Sequence, residues 1–274
     1  VILKGKRKLE GLPAVYTESD EEAETLEIYL RDRVMNTKII LSYTIFENLP
    51  VIIRNTRFVH EGESSIVLER AMSLNLDLPD DRYEMVELTG AWARERYVKT
   101  APLHEGIQAI YSMRGHSSHQ FNPFFALKRP ETTEDAGEAI GISLVYSGNF
   151  LGQTAVDTFG VARAMLGIHP EGFSWTLKKG ETFQTPEAVL VYSGEGLGKM
   201  SRTFHRLYRK RLARGYWRDR VRPVVINNWE ATFMDFTEDK ILKFAETARK
   251  LGVEMMVLDD GWFGHRDDDT SSLG

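Results

Sequence analysis

The chain is 274 residues long, 42% hydrophobic and 27% charged, with a formal net charge of -5. That length supports a sizeable core in one or two domains, and the interspersed charges leave no basic footprint for nucleic acid. The absence of cysteine excludes disulfides and thiolate chemistry, and no apolar run reaches the ~18 residues that a membrane span needs. The first residue is Val1, with no charged-then-apolar leader, and the last residues break off inside an element. An internal segment of a longer protein is therefore expected.

Residues 1–195 read as β. Thr25-Leu-Glu-Ile-Tyr-Leu-Arg31 alternates polar and apolar, and Lys38-Ile-Ile-Leu-Ser-Tyr-Thr-Ile-Phe46 and Val51-Ile-Ile-Arg-Asn-Thr-Arg-Phe58 are rich in β-branched and aromatic residues. Short runs of this kind, separated by Gly, Asn, Asp and Pro, signal an all-β sandwich. No Pro/Gly/Ser linker divides the region, so one large sandwich is expected rather than two small domains. Ser143-Leu-Val-Tyr-Ser-Gly-Asn149 and Val189-Leu-Val-Tyr-Ser-Gly-Glu195 share a string. Two equivalent strands ending in glycine turns explain it, with a shared ligand site as the alternative.

Residues 196–215 read as a helix. Leu197, Met200, Phe204, Leu207, Tyr208 and Leu212 recur at helical spacing, and Gly215 suits the position after the helix end. Its basic residues fit a solvated face with buried aliphatic stems, and residues 196–221 read as a helical linker.

Residues 222–274 carry a β-α-β pattern. Val224-Val-Ile-Asn-Asn-Trp-Glu-Ala231 is an apolar strand ending in Asn, Trp and Glu, and Met255-Met-Val-Leu-Asp-Asp-Gly-Trp262 is one ending in two aspartates and an indole. A helix from about Thr237 to Leu251 joins them, with Thr237 as N-cap and Gly252 as its end. Ile241, Leu242, Phe244, Ala245, Ala248 and Leu251 are expected as its buried stripe. Polar and aromatic groups gathered at strand C-termini are how a (β/α)8 barrel builds its active-site rim.

Asp259 and Asp260, with Trp229 and Trp262 nearby, suit a sugar: carboxylates accept hydroxyls and indoles cover the C–H face. Both carboxylates can reach one pocket only if the strand ends or bulges there, which Gly261 permits. The structural alternative leaves one aspartate in the pocket and the other capping the next helix. A retaining glycosidase holds its catalytic carboxylates ~5–5.5 Å apart across the scissile bond, which neighbours on one strand do not achieve. The pair is therefore assigned to binding. Trp229 is a stacking plate or a rim packing residue, and Glu230 is assigned a structural role.

Asp267-Asp268-Asp269 lacks the spacing of an EF-hand loop and reads as a solvated loop. His116 and His119, with Ser117 and Ser118, have no third ligand near in sequence and read as a surface loop. Trp92 and Arg94 sit on a β loop, facing an active-site mouth or a domain interface.

Taken together, Pro223-Val-Val-Ile-Asn-Asn-Trp-Glu-Ala231, Val257-Leu-Asp-Asp-Gly-Trp-Phe-Gly264, Arg266-Asp-Asp-Asp269 and Ser271-Ser-Leu-Gly274 strongly resemble the bacterial α-galactosidases of glycoside hydrolase family 36. Gly90-Ala-Trp-Ala-Arg-Glu-Arg96, Ser117-Ser-His-Gln120, Asn122-Pro-Phe124 and Tyr146-Ser-Gly-Asn-Phe150 extend the resemblance over essentially the whole chain. It implies a β-rich fold: an N-terminal β-supersandwich, here lacking its first strands, over residues 1–195, and over residues 222–274 the start of a (β/α)8 catalytic barrel that is truncated here.

It also implies that Trp229, Asp259 and Asp260 contact galactose, with Trp262 as a further binding candidate. The nucleophile and the acid/base are expected beyond Gly274, so this chain alone is expected to be inactive. The implied activity is retaining hydrolysis of terminal α-linked galactose, as in melibiose or raffinose, with no metal or organic cofactor. No nucleic-acid or membrane partner, a homotetramer and a cytoplasmic location are further expectations. Two alternatives stay open: a non-catalytic carbohydrate-binding or assembly module, and a related α-N-acetylgalactosaminidase.

Overall fold

The computed structural model describes residues 1–266, 268 and 270. The chain divides into two compact units, Val1–Ala213 and Arg214–Gly274.

In the first unit the strands are β1 (Ile2–Lys4), β2 (Ala23–Asp32), β3 (Thr37–Phe46), β4 (Ile52–His60), β5 (Ile66–Leu68), β6 (Met72–Asp77), β7 (Glu84–Ala91), β8 (Arg94–Pro102), β9 (Gly106–Ser112), β10 (Phe121–Lys128), β11 (Ala139–Val145), β12 (Phe150–Val156), β13 (Ala162–Ile168), β14 (Trp175–Leu177), β15 (Thr182–Gln184) and β16 (Glu187–Ser193). A large antiparallel sheet runs β1-β2-β3-β4-β16-β11-β10-β7-β8, with β15 added on β4. A smaller one runs β6-β13-β12-β9. This is the β-sandwich expected from the short, closely spaced strands.

The core explains the sequence pattern strand by strand. Phe125 and Leu127 of β10 and Ala188 and Leu190 of β16 pack with Leu166, Phe150 and Ile110 of the smaller sheet. Ala126, Val189 and Val191, one residue out of phase, face the other way into a second core. Central strands covered on both faces need apolar residues at every position, which is why these segments read as continuous runs.

That second core is closed by a helix, α1 (Gly196–Leu207), through Met200, Phe204 and Leu207. Gly141 lets α1 approach the sheet closely: a Cβ there would lie 2.5 Å from Phe204 Cε2. The helix expected to run to Gly215 is shorter. After Leu207 the chain winds into a π turn, Tyr208–Leu212, and Ala213 is extended. The Tyr208 hydroxyl donates to Ser143 Oγ at 2.9 Å, and the wider turn keeps that residue on the sheet while the α-helical ladder ends.

At the other end of the large sheet the alternation of β2 is inverted relative to a simple core-facing strand. Thr25 and Glu27 are buried, whereas Leu26, Ile28 and Leu30 are 40–46% exposed. Residues 5–9 lie over the polar face: Thr25 Oγ1 donates to the Gly5 carbonyl at 2.8 Å, and Arg7 pairs with Glu27 at 2.9 Å. The shared Leu-Val-Tyr-Ser-Gly strings fall on β11 and β16, paired antiparallel with Ser143 opposite Val189. Their glycine ends therefore point to opposite ends of the sheet, which removes the shared-ligand alternative.

In the second unit, β17 (Val225–Asn227) and β18 (Met255–Val257) pair in parallel, with Asn227 opposite Val257. A short helix α2 (Trp229–Thr232) and a longer one, α3 (Glu238–Lys250), connect them. Thr237 caps α3 by accepting the Lys240 N–H, and Gly252 follows it at φ 84°, as the sequence indicates. The buried stripe of α3 is narrower than expected. Ala248 is buried and Ile241, Phe244 and Ala245 are half-buried, but Leu242 and Leu251 are exposed. Periodicity marks an apolar face without fixing how much of it has a partner.

Candidate functional site

The site is built where β17 and β18 end. Parallel neighbours in register bring their C-termini side by side, so the loops after Asn227 and Val257 meet. Asp259 and Asp260 lie two and three residues past the end of β18, off the alternation that would have sent them to opposite faces. The sequence condition for both to serve one site is met by strand termination. Gly261 follows at φ 93°, where a Cβ would come within 3.1 Å of Phe236 and 3.2 Å of Met234.

A network of amides holds the aspartates. Asn228 is fully buried; its Oδ1 accepts the Asp259 N–H at 2.8 Å and its Nδ2 donates to Thr232 Oγ1 at 2.9 Å. Asn227 Nδ2 donates to Asp259 Oδ2, while Asn227 Oδ1 accepts the Trp229 N–H at 2.7 Å. The Asp260 N–H donates to Asp259 Oδ1 at 2.7 Å, and the Gly261 N–H to Asp260 Oδ1 at 3.1 Å.

Trp229 opens α2, its ring edge-on to Phe233 with centroids 5.3 Å apart. Phe233 takes φ 47° and donates its N–H to the Trp229 carbonyl at 2.7 Å. Positive φ in a bulky non-glycine residue is strained and concentrates at functional sites. Trp262 is 60% exposed, with its ring near Phe263; among the described residues no hydrogen bond ties it to the aspartate network. Glu230 is exposed in the first turn of α2, where its charge complements the helix N-terminus.

The arrangement offers fixed carboxylate acceptors next to an indole at the rim of a parallel sheet. Comparisons with known proteins bear on what it serves. Residues 1–178 match the model of the glycosyl hydrolase family 36 N-terminal domain, and residues 182–274 match that of melibiase. The chain belongs to glycosyl hydrolase family 36.

Among family 36 relatives, the α-galactosidase AgaA of Geobacillus stearothermophilus is 55% identical over 100% of this chain and 37% of its own length. The α-galactosidase Mel36A of Lactobacillus acidophilus is 47% identical over 98% of this chain and 37% of its own. The crystal structure of AgaA superposes with a TM-score of 0.96 at 54% identity, covering 100% of this chain and 38% of that one, and a variant of AgaA has been solved in complex with raffinose. The chain thus spans about 37% of the length of these curated relatives.

The remaining candidates each have their own surroundings. His116 and His119 lie on an exposed loop held by backbone bonds: Ser112 Oγ donates to the His116 carbonyl at 2.6 Å, and the Ser117 N–H to the Ser147 carbonyl at 2.6 Å. Among the described residues no group of three His, Asp or Glu side chains is placed to hold a metal. Trp92, 85% exposed, tips the β7–β8 hairpin beside Arg94. Asp267 and Asp269 lie outside the described residues, while Asp268 Oδ1 accepts the Thr270 N–H at 2.7 Å in a local turn. Sequence reasoning missed Asn227 and Asn228. The doubled amide immediately before Trp229 was the available signal, but amides at a strand end also read as turn formers.

No helix among the described residues is long and apolar enough to cross a membrane.

Proposed function

We propose that the protein containing this chain is a retaining α-galactosidase acting on terminal α-linked galactose in oligosaccharides such as melibiose and raffinose. The observation that carries the reading is the likeness to α-galactosidases over the full length of the chain, at up to 55% identity. The aspartates and indole at the strand ends support it independently, because they supply what a galactopyranose needs: acceptors for its hydroxyls and a plate for its C–H face.

In this reading Asp259 and Asp260 accept sugar hydroxyls, Trp229 stacks, and Trp262 lines the entrance. Residues 222–274 open the catalytic barrel, residues 196–221 lead into it, and residues 1–195 form the β domain. The nucleophile and the acid/base stand outside these residues. A carboxylate attacks the anomeric carbon as a second carboxyl protonates the leaving oxygen, and water activated by the latter then releases galactose. A homotetrameric, cytoplasmic enzyme without a cofactor completes the proposal, following the family resemblance.

The stereochemical course tests it. NMR of an aryl α-galactoside digested by the protein, extended to the full length of its relatives, should show α-galactose first and the β anomer only on mutarotation. Initial β-galactose would mean inversion and would overturn the retaining mechanism.

A further inference from the structure

We propose that Asn227 is a positioning residue of the sugar site, fixing Trp229 and Asp259 together with one side-chain amide. The inference rests on the binding roles proposed above for those two residues.

A side-chain amide donates through its nitrogen and accepts through its oxygen without carrying charge. Asn227 uses both functions at once and toward different elements: Oδ1 takes the Trp229 N–H at the start of α2, and Nδ2 reaches Asp259 Oδ2 beyond β18. The Asp259 carboxylate is thereby gripped from two directions, since its Oδ1 accepts the Asp260 N–H at 2.7 Å. Each oxygen retains a lone pair for an incoming hydroxyl, but the carboxylate plane is no longer free to turn. Trp229 is held the same way, its N–H by Asn227 and its carbonyl by the Phe233 N–H at 2.7 Å.

Preorganised acceptors bind without first losing rotamer entropy. The neighbouring amide provides the contrast. Asn228 is fully buried and engages the backbone N–H of Asp259, a structural task, whereas Asn227 engages the Asp259 carboxylate itself, the group proposed to meet the ligand. Replacing Asn227 should therefore spare the fold and weaken the site. Asn227→Asp keeps the acceptor for Trp229 but sets a second negative charge against Asp259, so it should harm binding at least as much as Asn227→Ala.

The test uses the protein extended to the full length of its relatives, with an aryl α-galactoside for kinetics and galactose for calorimetry. Loss of a hydrogen bond to a charged group predicts a rise in KM and in the galactose Kd of roughly tenfold to a hundredfold for Asn227→Ala. kcat should stay within about threefold, as expected where ground-state and transition-state binding fall together, and the melting temperature should be unchanged. In an Asp259→Ala background, Asn227→Ala should weaken galactose binding by much less, because the residue it acts through is gone.

Unaltered KM and Kd in both Asn227 variants, with Asp259→Ala still weakening binding, would overturn the proposal and leave the α-galactosidase reading standing. So would a KM rise accompanied by a matching loss of thermal stability, which would mark Asn227 as structural. Absence of turnover and of galactose binding in the unsubstituted protein would remove the reading itself.

Discussion

The buried side chain of Asn228 accepts the backbone N–H of Asp259 at 2.8 Å, tying the end of one parallel strand to the loop that follows the other. Its Nδ2 donates to Thr232 Oγ1 at 2.9 Å, so both ends of the amide are engaged. Asn228→Ala would remove the acceptor of the Asp259 N–H. A loss of about 1–3 kcal/mol is expected, read by chemical denaturation of the extended protein, and it should exceed the loss for the exposed Asn227→Ala.

Lys6 and Glu187 form an ion pair in which the side chains are 3% and 0% exposed, and Glu187 also accepts the Val15 N–H at 2.7 Å. These contacts fasten the first fifteen residues across the large sheet. Removing one charge leaves the other buried, and Lys6→Met should cost about 3–5 kcal/mol. The double variant Lys6→Met, Glu187→Leu should recover part of that loss in the same denaturation measurement, since desolvation no longer has to be offset.

What was legible in the sequence follows from which forces are local. The strands 23–32, 37–46 and 52–60 announced themselves by alternation and β-branching, and α3 by Thr237 and Gly252, because caps and periodicity act within a few residues. Long-range relations were not legible. Nothing in Thr25 and Glu27 says that they face inward, since that depends on Gly5 and Arg7 folding over them while Leu26 and Ile28 remain at the surface.

Met200, Phe204 and Leu207 signalled a buried helix face but not that its partner is the sandwich. At the site, Trp229, Asp259 and Asp260 stood out as chemistry-bearing types at strand ends. The amides that orient them did not, because a hydrogen bond between residues 32 apart leaves no spacing signature.

Tyr83 carries a pH signature of the β domain. Burial, reinforced by its hydrogen bond to Glu138 at 2.9 Å and that carboxylate's charge, pushes its phenol up to about 12 from the usual 10. The folded chain thus keeps a proton that the unfolded chain releases near pH 10. The resulting stabilisation is fully present below about pH 10 and is lost as pH rises towards 12. Melting curves between pH 9 and 12 should show the unsubstituted protein losing stability relative to Tyr83→Phe above pH 10, with a constant difference below it.

The most direct test of the central claim is hydrolysis of an aryl α-galactoside by this chain, by the protein extended to the full length of its relatives, and by the extended form carrying Asp259→Ala or Asp260→Ala. The account predicts turnover by the extended protein, its loss in both variants, and none from the 274-residue chain alone. Turnover by the chain alone would contradict the placement of the catalytic pair outside it. Full activity in either aspartate variant would contradict the binding role given to that residue.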